Sequence, residues 1–119
     1  RSFSCCCFST VAWRCGRRRY PDAGHYAISG DFNTTDQSDA YRRIADHLEN
    51  AHWQAGWGFG FSYPNQKPRL DNRILFPVPL VRIDHLFYND HLFAHQARTL
   101  AAGGGSDHLP IVAYMSLIR

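Results

Sequence analysis

A chain of 119 residues with 45% apolar content can bury one ordinary core but not two, so a single domain is expected. Its formal charge of +3 is unevenly placed: five of the thirteen basic residues fall in the first twenty positions, and the rest of the chain carries eight basic against ten acidic residues. A basic nucleic-acid footprint over the body is therefore unsupported.

The opening stretch, RSFSCCCFSTVAWRCGRRRY, holds all four cysteines and no acidic residue. Three consecutive cysteines cannot converge on one metal from a regular strand or helix, which argues against zinc. The apolar run from Cys5 to Trp13 is also too short for the roughly 18 to 20 residues that cross a bilayer. Residues 1–24 therefore read as an atypical leader outside the fold, with a loosely attached strand as the alternative, and residues 25–119 as the domain.

From His25 the texture changes. HYAISGDFN predicts a short strand running into a Gly-Asp turn, which places Asp31 at its carboxyl end. The next segment spaces Tyr41, Ile44, Ala45 and Leu48 helically, with Asp36, Ser38 and Asp39 available to cap the start, so a helix is expected over 38–49. QAGWGFGFSYPNQKPRLDN alternates glycine with aromatics before two prolines, which suits a bent edge strand and a long surface loop. LVRIDHLFY has the apolar density of a buried strand, interrupted by Asp84. NDHLFAH reads as a surface loop or short helix. His91 and His95, at i and i+4, lack the glutamate of a metalloprotease helix, so zinc is the weaker reading there. AAGGGSDHLPIVAYMSLI ends the chain as a glycine loop feeding a last strand.

Asp is a common turn former, and Asp31 or Asp107 alone needs no further explanation. Asp84 does: a carboxylate inside an apolar strand is costly unless it is paired, hydrogen-bonded or metal-bound. His108 offers a partner, because an imidazole donating to a carboxylate has its tautomer fixed and its basicity raised. Trp53, Trp57, Phe59 and Phe61 suit packing better than a stacking platform for bases or sugars.

Taken in order, GDFN, RIDH and GSDHLP, separated by roughly fifty and then twenty residues, resemble the endonuclease/exonuclease/phosphatase (DNase I-like) superfamily. The resemblance runs from about Tyr26 to the end, and its glycine-aromatic stretch is similar to bacterial members that often carry membrane segments ahead of the domain. It implies an α+β fold, the second half of a four-layer α/β sandwich with a mixed or mostly antiparallel sheet and a flanking helix. It also implies a divalent-metal-dependent phosphoesterase using Mg²⁺ or Mn²⁺ on a phosphate-ester substrate. Residue by residue, Asp31 takes the place of the aspartate that orients or deprotonates the attacking water, and Asn33 that of the neighbour helping to hold water, phosphate or metal. Asp84 corresponds to the aspartate behind the catalytic histidine, Asp107 to a metal ligand, and His108 to that histidine, which contacts the scissile phosphate. All five are expected around one cleft. The family's first half, with its metal-binding glutamate, has no counterpart here, so the chain is expected to be incomplete alone. The competing reading is an inactive remnant or interaction domain that retains the motifs.

Overall fold

The computed structural model of the protein describes residues 2–7, 24–65, 69–70, 73–74 and 79–118. Of the leader anticipated over 1–24, residues 2–7 form a strand and 8–23 lie outside the described residues, as do parts of the loop anticipated near Pro68. The strands are β1 (Ser2–Cys7), β2 (Ala27–Asp31), β3 (Glu49–Asn50), β4 (Arg69–Leu70), β5 (Arg73–Ile74), β6 (Asp84–Tyr88), β7 (Leu92–Thr99) and β8 (Ile111–Leu117), with helices α1 (Asp39–Ala45) and α2 (Ala51–Ala55).

They build two three-stranded sheets, ordered β1-β8-β7 and β2-β6-β3, and a small β4-β5 ribbon, with every strand pairing antiparallel. The α+β class and the mostly antiparallel sheet expected from the sequence are those observed.

β6 explains how the sheets are held together. It is the middle strand of its sheet and is covered on both faces, which is why Leu86, Phe87 and Tyr88 follow one another without a charged residue between them. Side chains alternate along a strand, so Asp84, Leu86 and Tyr88 share one face while His85 and Phe87 share the other. Leu86 and Tyr88 join Ala94, Ala97, Ala113 and Met115 of the second sheet in one buried cluster, to which α2 adds Ala51. On the opposite face, Phe87 meets Phe32 and Tyr41 with ring centroids 5.3 Å away in each case. Tyr41 is the buried residue of α1. The pleat thus points Asp84 toward the second sheet and His85 toward the helix.

α1 starts where its capping residue places it. Ser38 is extended and its Oγ accepts the Tyr41 N–H, satisfying one of the amino-terminal donors the helix leaves open. The helix ends at Ala45, four residues short of the expected end. Leu48 continues the helical spacing, but its N–H closes a turn on the Ile44 carbonyl, and Glu49–Asn50 pair with Tyr88 and Phe87 of β6. Asn50 then caps α2, its Oδ1 accepting from the N–H groups of His52 and Trp53.

In place of the edge strand expected in the glycine-aromatic stretch, the described residues after α2 form an irregular loop that bridges β7 once, at Gly56 and Ala97, and pairs Tyr63 with Val81 ahead of β6. This loop wraps the His52 imidazole, whose Nε2–H donates to the Gly58 carbonyl at 3.1 Å. Gly60 has φ +63°, and a Cβ there would fall on the His52 ring; glycine serves both the backbone conformation and the close approach. The segment around His91 and His95, read as loop or short helix, is instead the start of β7, with His95 Nε2 2.7 Å from Ser116 Oγ across the ladder.

Candidate active site

Three side chains expected at the site come together. Asp84 opens β6, Asp31 lies opposite it at the end of β2 in register, and His108 precedes β8. His108 Nδ1 is 2.8 Å from Asp84 Oδ2, and its Nε2 is 4.0 Å from Asp31 Oδ2. The imidazole is partly exposed and Asp84 is nearly covered, their side chains being 23% and 12% exposed. With a carboxylate facing each ring nitrogen, the arrangement favours the form that is protonated on both. Burial alone would lower the His108 pKa, but the Asp84 hydrogen bond and the charges of Asp84, Asp31 and Asp107 outweigh it, and the net shift is upward.

Asn33 and Asp107 stand apart from this trio. Asn33 lies beyond the end of β2 at φ +49°, where strand alternation no longer applies. It is exposed, and its contact with Asp31 runs through the backbone, its N–H donating to Asp31 Oδ1 at 2.7 Å. Asp107 is exposed, and its carbonyl accepts the Asn65 N–H at 2.6 Å.

Residues that the sequence did not single out hold these motifs. Ser62 is completely buried, and its Oγ lies 3.4 and 3.3 Å from the N–H groups of Ile83 and Asp84. The Tyr63 ring sits against the His108 imidazole at 4.7 Å between centroids. Asn65 Nδ2 donates to the Ser106 carbonyl at 2.8 Å, and the Ser106 Oγ accepts the His108 N–H. Gly103 lies so close beneath that a Cβ would strike Asn65 Nδ2 and the His108 carbonyl.

A second titratable network lies on the other face of β6. His85 is 1% exposed; its Nε2–H donates to the Thr34 carbonyl at 2.8 Å and its Nδ1 faces Asn50 Nδ2 at 3.5 Å. Burial pushes its pKa down, so the neutral ring is the folded form. Beyond it, Arg82 is 8% exposed and pairs with Asp36 Oδ2 at 2.7 Å. It donates to the Phe59 carbonyl at 3.2 Å and lies 5.1 Å over the Trp53 ring.

These two histidines tie stability to pH in opposite directions. A lowered pKa means that the unfolded chain takes up the proton first, so the His85 contribution is full above about 6.5 and drains away as pH falls toward the folded value. A raised pKa reverses this: the His108 contribution is full below about 6.5 and is lost as pH rises through its folded value. Urea midpoints are expected to fall between pH 7 and 5, with a flatter acid limb in His85→Gln, which keeps a donor for Thr34. An unchanged acid limb in that variant would show that His85 does not govern it.

Oxygen donors suit a hard divalent ion. Asp31, Asp84 and His108 each offer a ligand atom, all within 4.8 Å of one another. The donor set fits such an ion in part: Mg²⁺ takes six oxygens in octahedral geometry, and here two carboxylates are available, one of them bonded to the imidazole. The only glutamate of the sequence, Glu49, pairs with Tyr88 at the far end of β6 from Asp84.

The sequence model of the endonuclease/exonuclease/phosphatase family matches residues 16–108. The chain belongs to that family. Among solved structures, an endonuclease/exonuclease/phosphatase from Bacteroides vulgatus superposes with a TM-score of 0.61 at 24% identity, over 80% of this chain and 37% of its own. A functionally unknown conserved protein from Enterococcus faecalis V583 gives 0.64 at 18% identity, over 79% and 37%. A mannosyl-6-phosphatase from Bacteroides thetaiotaomicron gives 0.60 at 17% identity, over 80% and 38%. The chain thus spans somewhat over a third of the length of these structures. A comparison with curated proteins finds no match. Among the described residues no helix is long and apolar enough to cross a membrane.

Proposed function

We propose that this chain carries the imidazole-carboxylate portion of a metal-dependent phosphoesterase site, hydrolysing a phosphomonoester or phosphodiester. The observation that carries the reading is the Asp84–His108 hydrogen bond of 2.8 Å with Asp31 facing the other ring nitrogen. A phosphate ester is anionic and repels an incoming water, so its hydrolysis needs positive charge on the phosphoryl oxygens and a base for the water. His108, held protonated by Asp84, donates from Nε2 to a phosphoryl oxygen and stabilises charge as it builds there. Asp31 orients the water through Oδ2 and takes its proton as the new P–O bond forms and the ester P–O bond breaks; the departing oxygen is protonated by solvent. The backbone N–H of Asn33 steadies the other Asp31 oxygen.

Of the residues that the sequence assigned to a metal, Asn33 and Asp107 stand apart from the cluster, so Mg²⁺ or Mn²⁺ would be held by Asp31 together with donors from segments of the domain outside this chain. When bound, the ion supplies Lewis-acid polarisation of the phosphoryl group. The mannosyl-6-phosphatase among the structural relatives favours a phosphomonoester.

A hard cation held by few ligands binds weakly, so feeble turnover is expected from this chain alone. The test is hydrolysis of bis-p-nitrophenyl phosphate and p-nitrophenyl phosphate with Mn²⁺, with and without EDTA. EDTA-resistant turnover would remove the metal, and strong metal-dependent turnover would show that no further donors are required. The inactive-remnant reading predicts neither turnover nor a Mn²⁺ binding isotherm.

A further inference from the structure

Ser62 touches both segments that carry the central hydrogen bond of the site. Its Oγ lies within reach of the Ile83 and Asp84 N–H groups at 3.4 and 3.3 Å. Its own N–H donates to the Val81 carbonyl at 2.9 Å, and its carbonyl accepts the N–H of Leu109, the residue after His108, at 2.7 Å. One buried residue is therefore bonded to the backbone beside Asp84 and to the backbone beside His108. The residues that follow extend this contact, Tyr63 lying against the His108 ring and Asn65 bonding to the backbone of Ser106 and Asp107.

We infer that Ser62 is a positioning residue for the proposed phosphoester hydrolysis, setting the separation of Asp84 from His108 through its hydroxyl and its carbonyl. The inference rests on the functional reading above and adds a residue that touches no reacting atom. A buried hydroxyl serving only stability could be lost without moving the imidazole. A hydroxyl that fixes the start of β6 cannot, because Asp84 Oδ2 has only a few tenths of an ångström of travel before its bond to Nδ1 weakens. The carbonyl of Ser62 fixes the other partner through Leu109, so a shift at either contact changes the same distance.

The test is read first without turnover. In this chain labelled for NMR, the imidazole proton shared between His108 and Asp84 is expected as a resolved downfield resonance at low temperature. Ser62→Ala, which keeps both backbone bonds and removes Oγ, is expected to broaden that resonance beyond detection and to speed amide exchange at Ile83 and Asp84 about tenfold, with Leu86 and Tyr88 unchanged. A sharp resonance and unchanged exchange in folded Ser62→Ala would overturn the inference. Should Ser62→Ala not fold, Ser62→Thr keeps the hydroxyl: retention of the resonance there supports the role, and its loss in a folded Ser62→Thr overturns it. The kinetic arm uses the assay above, where Ser62→Ala is expected to lower kcat about tenfold with KM unchanged. Absence of metal-dependent turnover in a complete domain bearing this sequence, together with the expected NMR result in this chain, would strike the functional reading and leave the positioning of the pair intact.

Discussion

In a complete domain bearing this sequence, His108→Ala is expected to lower kcat about a thousandfold with a much smaller change in KM, as steady-state kinetics on a phosphate ester would show. Removing one preorganised donor to developing negative charge costs about 10²–10³ in rate, and in the proposed site His108 is that donor, its Nε2 lying 4.0 Å from Asp31 Oδ2. Asp84→Asn should cost roughly a hundredfold or more while leaving the fold in place. The amide keeps the shape of the carboxylate and an oxygen that can accept from Nδ1, but it no longer supplies the negative charge that helps outweigh burial in raising the His108 pKa. The imidazole then loses its proton at lower pH, and the alkaline limb of the rate profile should move toward neutrality. Equal activity in the parent and both variants would mean that these side chains sit at a site without turnover.

Arg82→Ala is expected to destabilise the protein by about 3 kcal/mol, measured as the shift in free energy of urea unfolding. The guanidinium is buried, paired with Asp36, bonded to the Phe59 carbonyl and packed over Trp53. Truncation leaves the partly covered Asp36 carboxylate and the Phe59 carbonyl without this partner and opens space under the indole. Arg82→Lys should recover less than half of the loss, because a single ammonium cannot reach both acceptors in the fork geometry that Arg uses. A loss below 1 kcal/mol in the alanine variant would show that the pair is as dispensable as an exposed one.

The sequence was most legible where local chemistry and burial agree. The strand before Asp31 and the apolar run around Asp84 stand out because β6 is covered on both faces. Ser38 could be read as a cap because the first turn of a helix needs an acceptor there. Leu48 misled, since a half-buried residue in a turn keeps helical spacing by coincidence. β7 stayed hidden for a physical reason: its register slips between Ala94 and Gln96, so buried Leu92 and Ala94 fall out of step with buried Ala97, and no clean alternation survives. The carboxylates and the imidazole of the site could be picked out from motif order. Ser62, Tyr63 and Asn65 could not, because their roles depend on contacts with residues more than twenty positions away, in a stretch whose glycines and prolines signal only a loop.

Asp84 belongs to the sheet ordered β2-β6-β3, and His108 leads into a strand of the other sheet. The bond between them is therefore a gauge of how the two layers are seated. Apolar side chains tolerate a small slide with little loss of contact, whereas a 2.8 Å hydrogen bond does not. Chemical competence would consequently fail ahead of the fold: under mild heat or denaturant the layers can shift against each other while both sheets persist, leaving an intact-looking protein whose imidazole has come off its carboxylate.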